Sequence, residues 1–294
     1  MSAIYKSEAG ERELRRHYQE GLRTWPVPAE QVRVPTREGE TFVVVSGPED
    51  APPLLLLHGS GANAMMWRDD IASWARHFRT YAVDLIGEPG LSAPSRPPLS
   101  SDACALWLDD VLAGLGITSA SVVASSLGGW VALDYATRRP ERVTRLALLC
   151  PGGLGRQKMG WLVKALLLHP WGRSGVRRSV ASVAGLESPD VGHILDSVVL
   201  TFLHFKPRTE QLPRFSDDAL RRLTMPVLVM VGGRDAMFDS EGTARLVRRC
   251  VPHATVNVLP EVGHAILGQT DSVLEFLRDR PAVEEYDGNE QLAR

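Results

Sequence analysis

The chain has 294 residues, 44% hydrophobic and 23% charged, a composition that supports a large buried core and is unlike that of a disordered chain. Its formal charge of −2 leaves no basic excess for nucleic acid or an anionic membrane surface. The three cysteines, Cys104, Cys150 and Cys250, are scattered and outside any CxxC or CxxH pattern, which excludes a disulfide framework and a zinc site.

Residues 1–30 read as a polar helical extension that stops at the breaker Trp25-Pro26-Val27-Pro28. This stretch is charged and lacks an apolar core of signal-peptide type, so no export signal is expected. No uncharged apolar run reaches the ~18 residues needed to span a bilayer; the run at 161–168 contains Lys164. A cytoplasmic protein that does not insert into membranes is the resulting expectation.

Two short strands follow at 31–35 and 41–46, split by the turn Arg37-Glu38-Gly39. Apolar, β-rich runs then recur at 53–57, 80–84, 120–124, 143–150, 226–231 and 255–259. Continuous apolar runs without in/out alternation are the pattern of strands covered on both faces, as in parallel sheets. Helical stretches such as 102–115 and 129–138 supply the crossovers. The reading is an α/β fold with a mostly parallel, eight-stranded sheet flanked by helices.

Between 152 and 223 no convincing strand occurs. Helix-like stretches at 158–168, 175–183 and 189–203 are broken by Pro170, Gly172, Gly185 and Pro207. An all-helical insertion of this kind would cover one sheet edge as a cap, with 31–151 and 224–282 forming the core and 283–294 a flexible tail. No internal repeat or low-complexity tract is present.

The most informative segment is Ala124-Ser125-Ser126-Leu127-Gly128-Gly129. A strand that turns abruptly into a helix can present a serine hydroxyl at the rim of a sheet, in a strained backbone conformation. Side chains two positions before and after that serine would collide, so both must be small. Around Ser126 they are Ala124 and Gly128; around Ser125 they are Val123 and Leu127. Ser126 is therefore the expected nucleophile.

The strand at 53–57 opens into His58-Gly59-Ser60-Gly61. Attack on an acyl carbon builds negative charge on oxygen, which two fixed backbone N–H groups stabilise. Leu127 would offer one and Ser60 the second, with Gly61 as the alternative. His58, fixed at a strand end, reads as structural.

A serine hydroxyl needs a base. Of the eight histidines, His264 lies in a loop after the last strand, where an imidazole can reach the sheet's carboxyl edge. Asp235, at the end of the 226–231 strand on a glycine turn, is the expected orienting acid. Asp239 is its rival, with a helix N-cap as its other role, and Asp84 reads as an acceptor for turn amides.

Taken in order, His58-Gly59-Ser60-Gly61, Asp84 to Ser92, the Ser126 segment, Gly233-Arg234-Asp235 and Gly263-His264 resemble the successive signatures of the α/β-hydrolase family, over roughly 32–280. Within it the chain is most similar to the bacterial carboxylesterase-like group with a short helical cap. The chain departs from the pattern at two places. Ala124 replaces a glycine, and Glu88-Pro89 stands where one residue usually separates two glycines. The resemblance implies a serine hydrolase acting on a small to medium, mainly apolar ester through an acyl-enzyme, with no metal and no organic cofactor. C–C bond hydrolysis with the same three residues and a non-catalytic ligand-binding role are the alternatives. The apolar cap residues Trp161, Leu162, Val163, Leu166, Leu167 and Trp171 would either line an acyl pocket or pack the cap onto the core. The sequence specifies no oligomeric state.

Overall fold

The structure is a computed structural model that describes residues 4–160 and 167–279. The expected tail at 283–294 and the residues Trp161, Leu162, Val163 and Leu166 lie outside them. An eight-stranded sheet runs in the order β1-β2-β4-β3-β5-β6-β7-β8. Its strands are β1 (Ala29–Thr36), β2 (Gly39–Ser46), β3 (Pro53–Leu57), β4 (Arg79–Val83), β5 (Ala120–Ser125), β6 (Val143–Leu149), β7 (Val227–Gly232) and β8 (Thr255–Leu259). β1, β2 and β4 pair antiparallel and every other pair is parallel. The mostly parallel sheet read from the apolar runs is what the chain forms.

Alternate residues along each central strand enter two separate cores, which explains why these strands read as unbroken apolar runs. Leu55, Leu57, Val122, Ala124, Val227 and Val229 face one core, packed by α3 (Ala103–Gly114), α4 (Ser126–Arg138) and α8 (Ser240–Cys250). Leu54, Leu56, Val123, Ala147, Leu228 and Met230 face the other, packed by α1 (Glu8–Arg23), α2 (Arg68–Trp74) and α9 (Thr270–Arg278). β3 and β5 are neighbours at the centre, and the chain leaves β3 toward β4 on one side before returning to β5 on the other. A crevice at the carboxyl ends of such strands is where open α/β sheets place their sites.

Between β6 and β7 the chain forms the cap helices α5 (Gly172–Ala184) and α6 (Gly192–His204), followed by the short α7 (Asp217–Leu220), whose Leu220 joins the first sheet core. Its small apolar centre holds Leu186, Leu195 and Val199. Leu167 and Trp171 are both 66% exposed, so neither packs the cap onto the core.

The first helix does more than its polar composition suggested. Leu14, Tyr18 and Leu22, at intervals of four, form a buried stripe. Tyr18 and Leu22 join the sheet core, while Leu14 meets Ile4, Tyr5 and Phe205 beside the cap. Backbone bonds from Lys6 to the His204 carbonyl and from Lys206 to the Ile4 carbonyl, each 2.8 Å, fasten the N-terminal segment to the end of α6.

Candidate active site

β5 ends at Ser125 and α4 begins at Ser126 with no residue between them. Turning that fast places Ser126 at φ 50°, a left-handed conformation that costs a non-glycine residue on the order of 1–3 kcal/mol. Gly128 lets the turn pack against the end of β3 and the loop that follows it. A methyl there would lie 2.3 Å from the Leu57 carbonyl oxygen and 2.5 Å from that of His58. Ala124 is fully buried, so the position accepts a methyl. Ser126 stands at the bend and Ser125 is buried at the strand end.

The structure brings Ser126, His264 and Asp235 into one hydrogen-bonded chain. His264 Nε2 lies 3.0 Å from Ser126 Oγ, and its Nδ1 lies 2.8 Å from Asp235 Oδ2. A carboxylate can only accept, so Nδ1 carries the proton and Nε2 is left to accept from the serine hydroxyl. Asp235 follows β7 on the turn Gly232-Gly233-Arg234. Its Oδ1 accepts the amides of Met237 at 2.6 Å and Phe238 at 3.0 Å. Burial pushes the Asp235 carboxyl up, but the bond and charge of His264 and the two amides outweigh it and hold the group below its ordinary value. The Phe238 ring packs edge-on against the imidazole at 5.2 Å. The Ala265 amide donates to the Ala184 carbonyl at 2.9 Å, so the loop carrying His264 is tied to the cap.

Asp239 caps α8 and accepts the Gly242 amide at 3.0 Å, the helix-capping role weighed for it. Asp84, fully buried, accepts from Tyr18 Oη and the Ala64 amide at 2.9 Å and from the Leu91 amide at 2.8 Å. His58 is also fully buried. Its Nε2 accepts the Leu85 amide at 2.9 Å and its Nδ1 donates to the Gly59 carbonyl at 2.8 Å. Burial pushes it down to about 4, so it is a neutral structural ring. Among the other histidines, His17 bonds Ser197 and His204 pairs with Glu13 at the cap boundary, and His253 bonds the Met225 carbonyl.

On the loop after β3, Gly59 approaches Ser126 closely, and a β-carbon there would lie 3.3 Å from Ser126 Cβ. Ser60 and Gly61 meet a group the sequence reading passed over. Glu88 Oε2 accepts the Gly61 amide at 2.7 Å and the Ser60 hydroxyl at 3.1 Å. The visible signal was the extra residue in Gly87-Glu88-Pro89-Gly90, read only as a spacing departure. From the cap, Phe202 and Thr201 lie over Gly61.

The Cys150 thiol, the Asp235 carboxyl and the His264 ring present atoms within 4.8 Å of one another, a set with metal-ligand chemistry. Burial and the neighbouring Asp235 push the Cys150 thiol well up, which keeps it protonated, and both His264 nitrogens are engaged within the chain to Ser126 and Asp235. The set therefore fits a metal poorly. Among the described residues no helix is long and apolar enough to cross a membrane.

Residues 54–276 match the family model described as the alpha/beta hydrolase family. The chain belongs to that family. It is 31% identical over 271 residues to an uncharacterized carboxylesterase, nap, of Bacillus subtilis, covering 85% of each chain. The crystal structure of carboxylesterase CesB (YbfK) from the same organism superposes with a TM-score of 0.80 at 30% identity, over 92% of this chain and 99% of that one. That of the B. subtilis naproxen esterase (carboxylesterase NP) gives 0.77 at 29% identity, with the same coverage. This α/β-hydrolase is thus an enzyme of the bacterial carboxylesterase-like group with cap helices.

Proposed function

We propose that this α/β-hydrolase is a serine carboxylesterase. The observation that carries the reading is a single imidazole bridging Ser126 Oγ at 3.0 Å and Asp235 Oδ2 at 2.8 Å. Ser126 attacks the ester carbonyl as His264 Nε2 takes its proton, and Asp235 holds the ring in the Nδ1–H tautomer and stabilises its charged form. The tetrahedral oxyanion is received by the amides of Leu127 and Ser60, since the Gly61 amide is occupied by Glu88. His264 returns the proton to the leaving alkoxide, and the acyl-enzyme is released by water through the same base. No step calls for a metal or organic cofactor.

The substrate class we infer is a small to medium, mainly apolar ester. Buried Leu127 and the cap residues Phe202 and Thr201 above Gly61 support it, as do the esterase names borne by the full-length relatives.

The test is labelling by a fluorophosphonate probe, combined with a p-nitrophenyl ester chain-length series, on the native chain and on Ser126→Ala. Stoichiometric labelling and turnover that both vanish in Ser126→Ala are expected. A diketone cleaved faster than every ester would replace the esterase reading with C–C hydrolysis, and absence of labelling in the native chain would overturn both.

A further inference from the structure

Glu88 is a carboxyl that the chain from Ser126 to Asp235 does not use. It is 1% exposed. Oε2 carries both bonds to the loop after β3, while Oε1 is buried with no hydrogen-bond partner. Neither neighbouring guanidinium pairs with it. Arg96 bonds the carbonyls of Gly87 and Lys206, and Arg208 bonds the Pro97 carbonyl and Glu210. A buried carboxylate with no guanidinium or ammonium in direct contact is costly, and neutral side chains could fix a turn at lower cost. What the anion holds is therefore informative. Its bonds go to Gly61, adjacent to Ser60, and to the Ser60 side chain itself.

We propose that Glu88 is a positioning residue of the esterase reaction: its carboxylate grips the Gly61 amide and the Ser60 hydroxyl, and so aims the Ser60 amide at the developing oxyanion. This rests on the reading of Ser60 and Leu127 as the oxyanion donors. A hydrogen bond to an anion is shorter and stronger than one to a neutral acceptor, so the grip depends on the charge of Glu88. Burial pushes this carboxyl up to about 7, against the lowering influence of the Gly61 amide, Arg96, the Ser60 hydroxyl and Arg208. Tyr5 also faces it, and burial pushes that phenol up to about 12. Guanidinium groups stay charged from pH 6 to 9, the raised Tyr5 phenol stays neutral and Asp84, raised to about 6, changes only at the low end, so above that end the grip responds to the proton on Glu88. As pH falls through about 7 the anion is lost and the loop loosens.

The experiment compares kcat and KM for p-nitrophenyl acetate across pH 6–9 in the native chain, Glu88→Gln and Glu88→Ala, with thermal melting as a check on folding. Glu88→Ala is expected to lower kcat about 10–100-fold at pH 9, with KM within about twofold, somewhat less than the loss of a whole oxyanion donor. Glu88→Gln keeps a neutral acceptor, so its kcat should fall about 3–10-fold at pH 9. The ratio of native to Gln kcat should shrink toward one as pH drops through about 7. A merely structural Glu88 gives a ratio independent of pH, and that result overturns the proposal even where Glu88→Ala does not fold. Full kcat in a folded Glu88→Ala overturns it directly. If the native chain neither hydrolyses esters nor shows Ser126-dependent labelling, the esterase reading fails and takes the proposal with it. An active native chain with a flat ratio removes Glu88 alone.

Discussion

Gly185 and Gly263 meet backbone to backbone: a β-carbon on Gly263 would lie 2.8 Å from Gly185 Cα and 3.1 Å from the Ala184 carbonyl oxygen. The C-terminal end of cap helix α5 thereby rests on the residue preceding His264, beside the bond from the Ala265 amide to Ala184. The cap and the loop carrying His264 are mechanically joined through two residues without side chains.

Gly263→Ala should therefore disturb both. The added methyl forces the α5 end and the His264 loop apart, at about 1–3 kcal/mol of stability. kcat should fall about 10–100-fold as the ring leaves hydrogen-bond range of Ser126. Gly192→Ala is the control, because nothing lies within 4 Å of its added carbon and its backbone is already helical at φ −56°. It should leave kcat unchanged and raise stability by up to about 1 kcal/mol. Steady-state kinetics with thermal melting separates the two. Full activity in a folded Gly263→Ala would show that the contact does not hold His264.

The two candidate acids can be told apart by amide substitution. Asp235→Asn removes the anion against His264 Nδ1 and favours the wrong tautomer, so kcat should fall by about 10⁴. Asp239→Asn keeps an N-cap acceptor for the Gly242 amide and should stay within about twofold of native activity and about 0.5 kcal/mol of native stability. Equal losses in both would withdraw the role assigned to Asp235.

Glu88 and Asp84 also make stability depend on pH with a definite sign. Burial raises them to about 7 and about 6, whereas in the unfolded chain such groups titrate near 4. Between those values the folded state binds more protons than the unfolded state, so stability falls as pH rises from about 5 to about 7.5. Asp70, raised by burial to about 6, adds to the fall; His58, pushed down to about 4, opposes it in the lower part of the window, and Asp235, held low, opposes it only below the window. The melting temperature should drop by several degrees across that range. In Glu88→Gln the drop should be smaller, by an amount equivalent to about 2 kcal/mol. Differential scanning calorimetry against pH checks this; a melting temperature that rises with pH across the window would contradict the buried-acid assignment.

Much of this was legible in the sequence because it is local. Steric need fixes the residues around Ser126, and apolar runs mark strands covered on both faces. The chain order of Ser126, Asp235 and His264 follows the order of the strands that carry them. What stayed hidden is long-range. The stripe of Leu14, Tyr18 and Leu22 is visible in α1, but its partners Phe205 and Asp84 are far away in sequence. Glu88 registered only as part of a spacing departure, since a carboxylate in a turn is almost always solvated. Only the fold shows that its turn closes over Ser60. Leu167 and Trp171 read as either pocket-lining or packing residues, yet they are exposed, since hydrophobicity alone does not say which face of a cap segment meets the core.

The left-handed backbone at Ser126 sets the catalytic role proposed for this residue against folding. Ser126→Gly would relieve the strain at φ 50°, since glycine occupies that region without penalty, and an inactive chain that melts at a higher temperature than the active one is the expected product. On the proposed reading of Ser126 as nucleophile, the strained bend gives up durability for turnover at that one position.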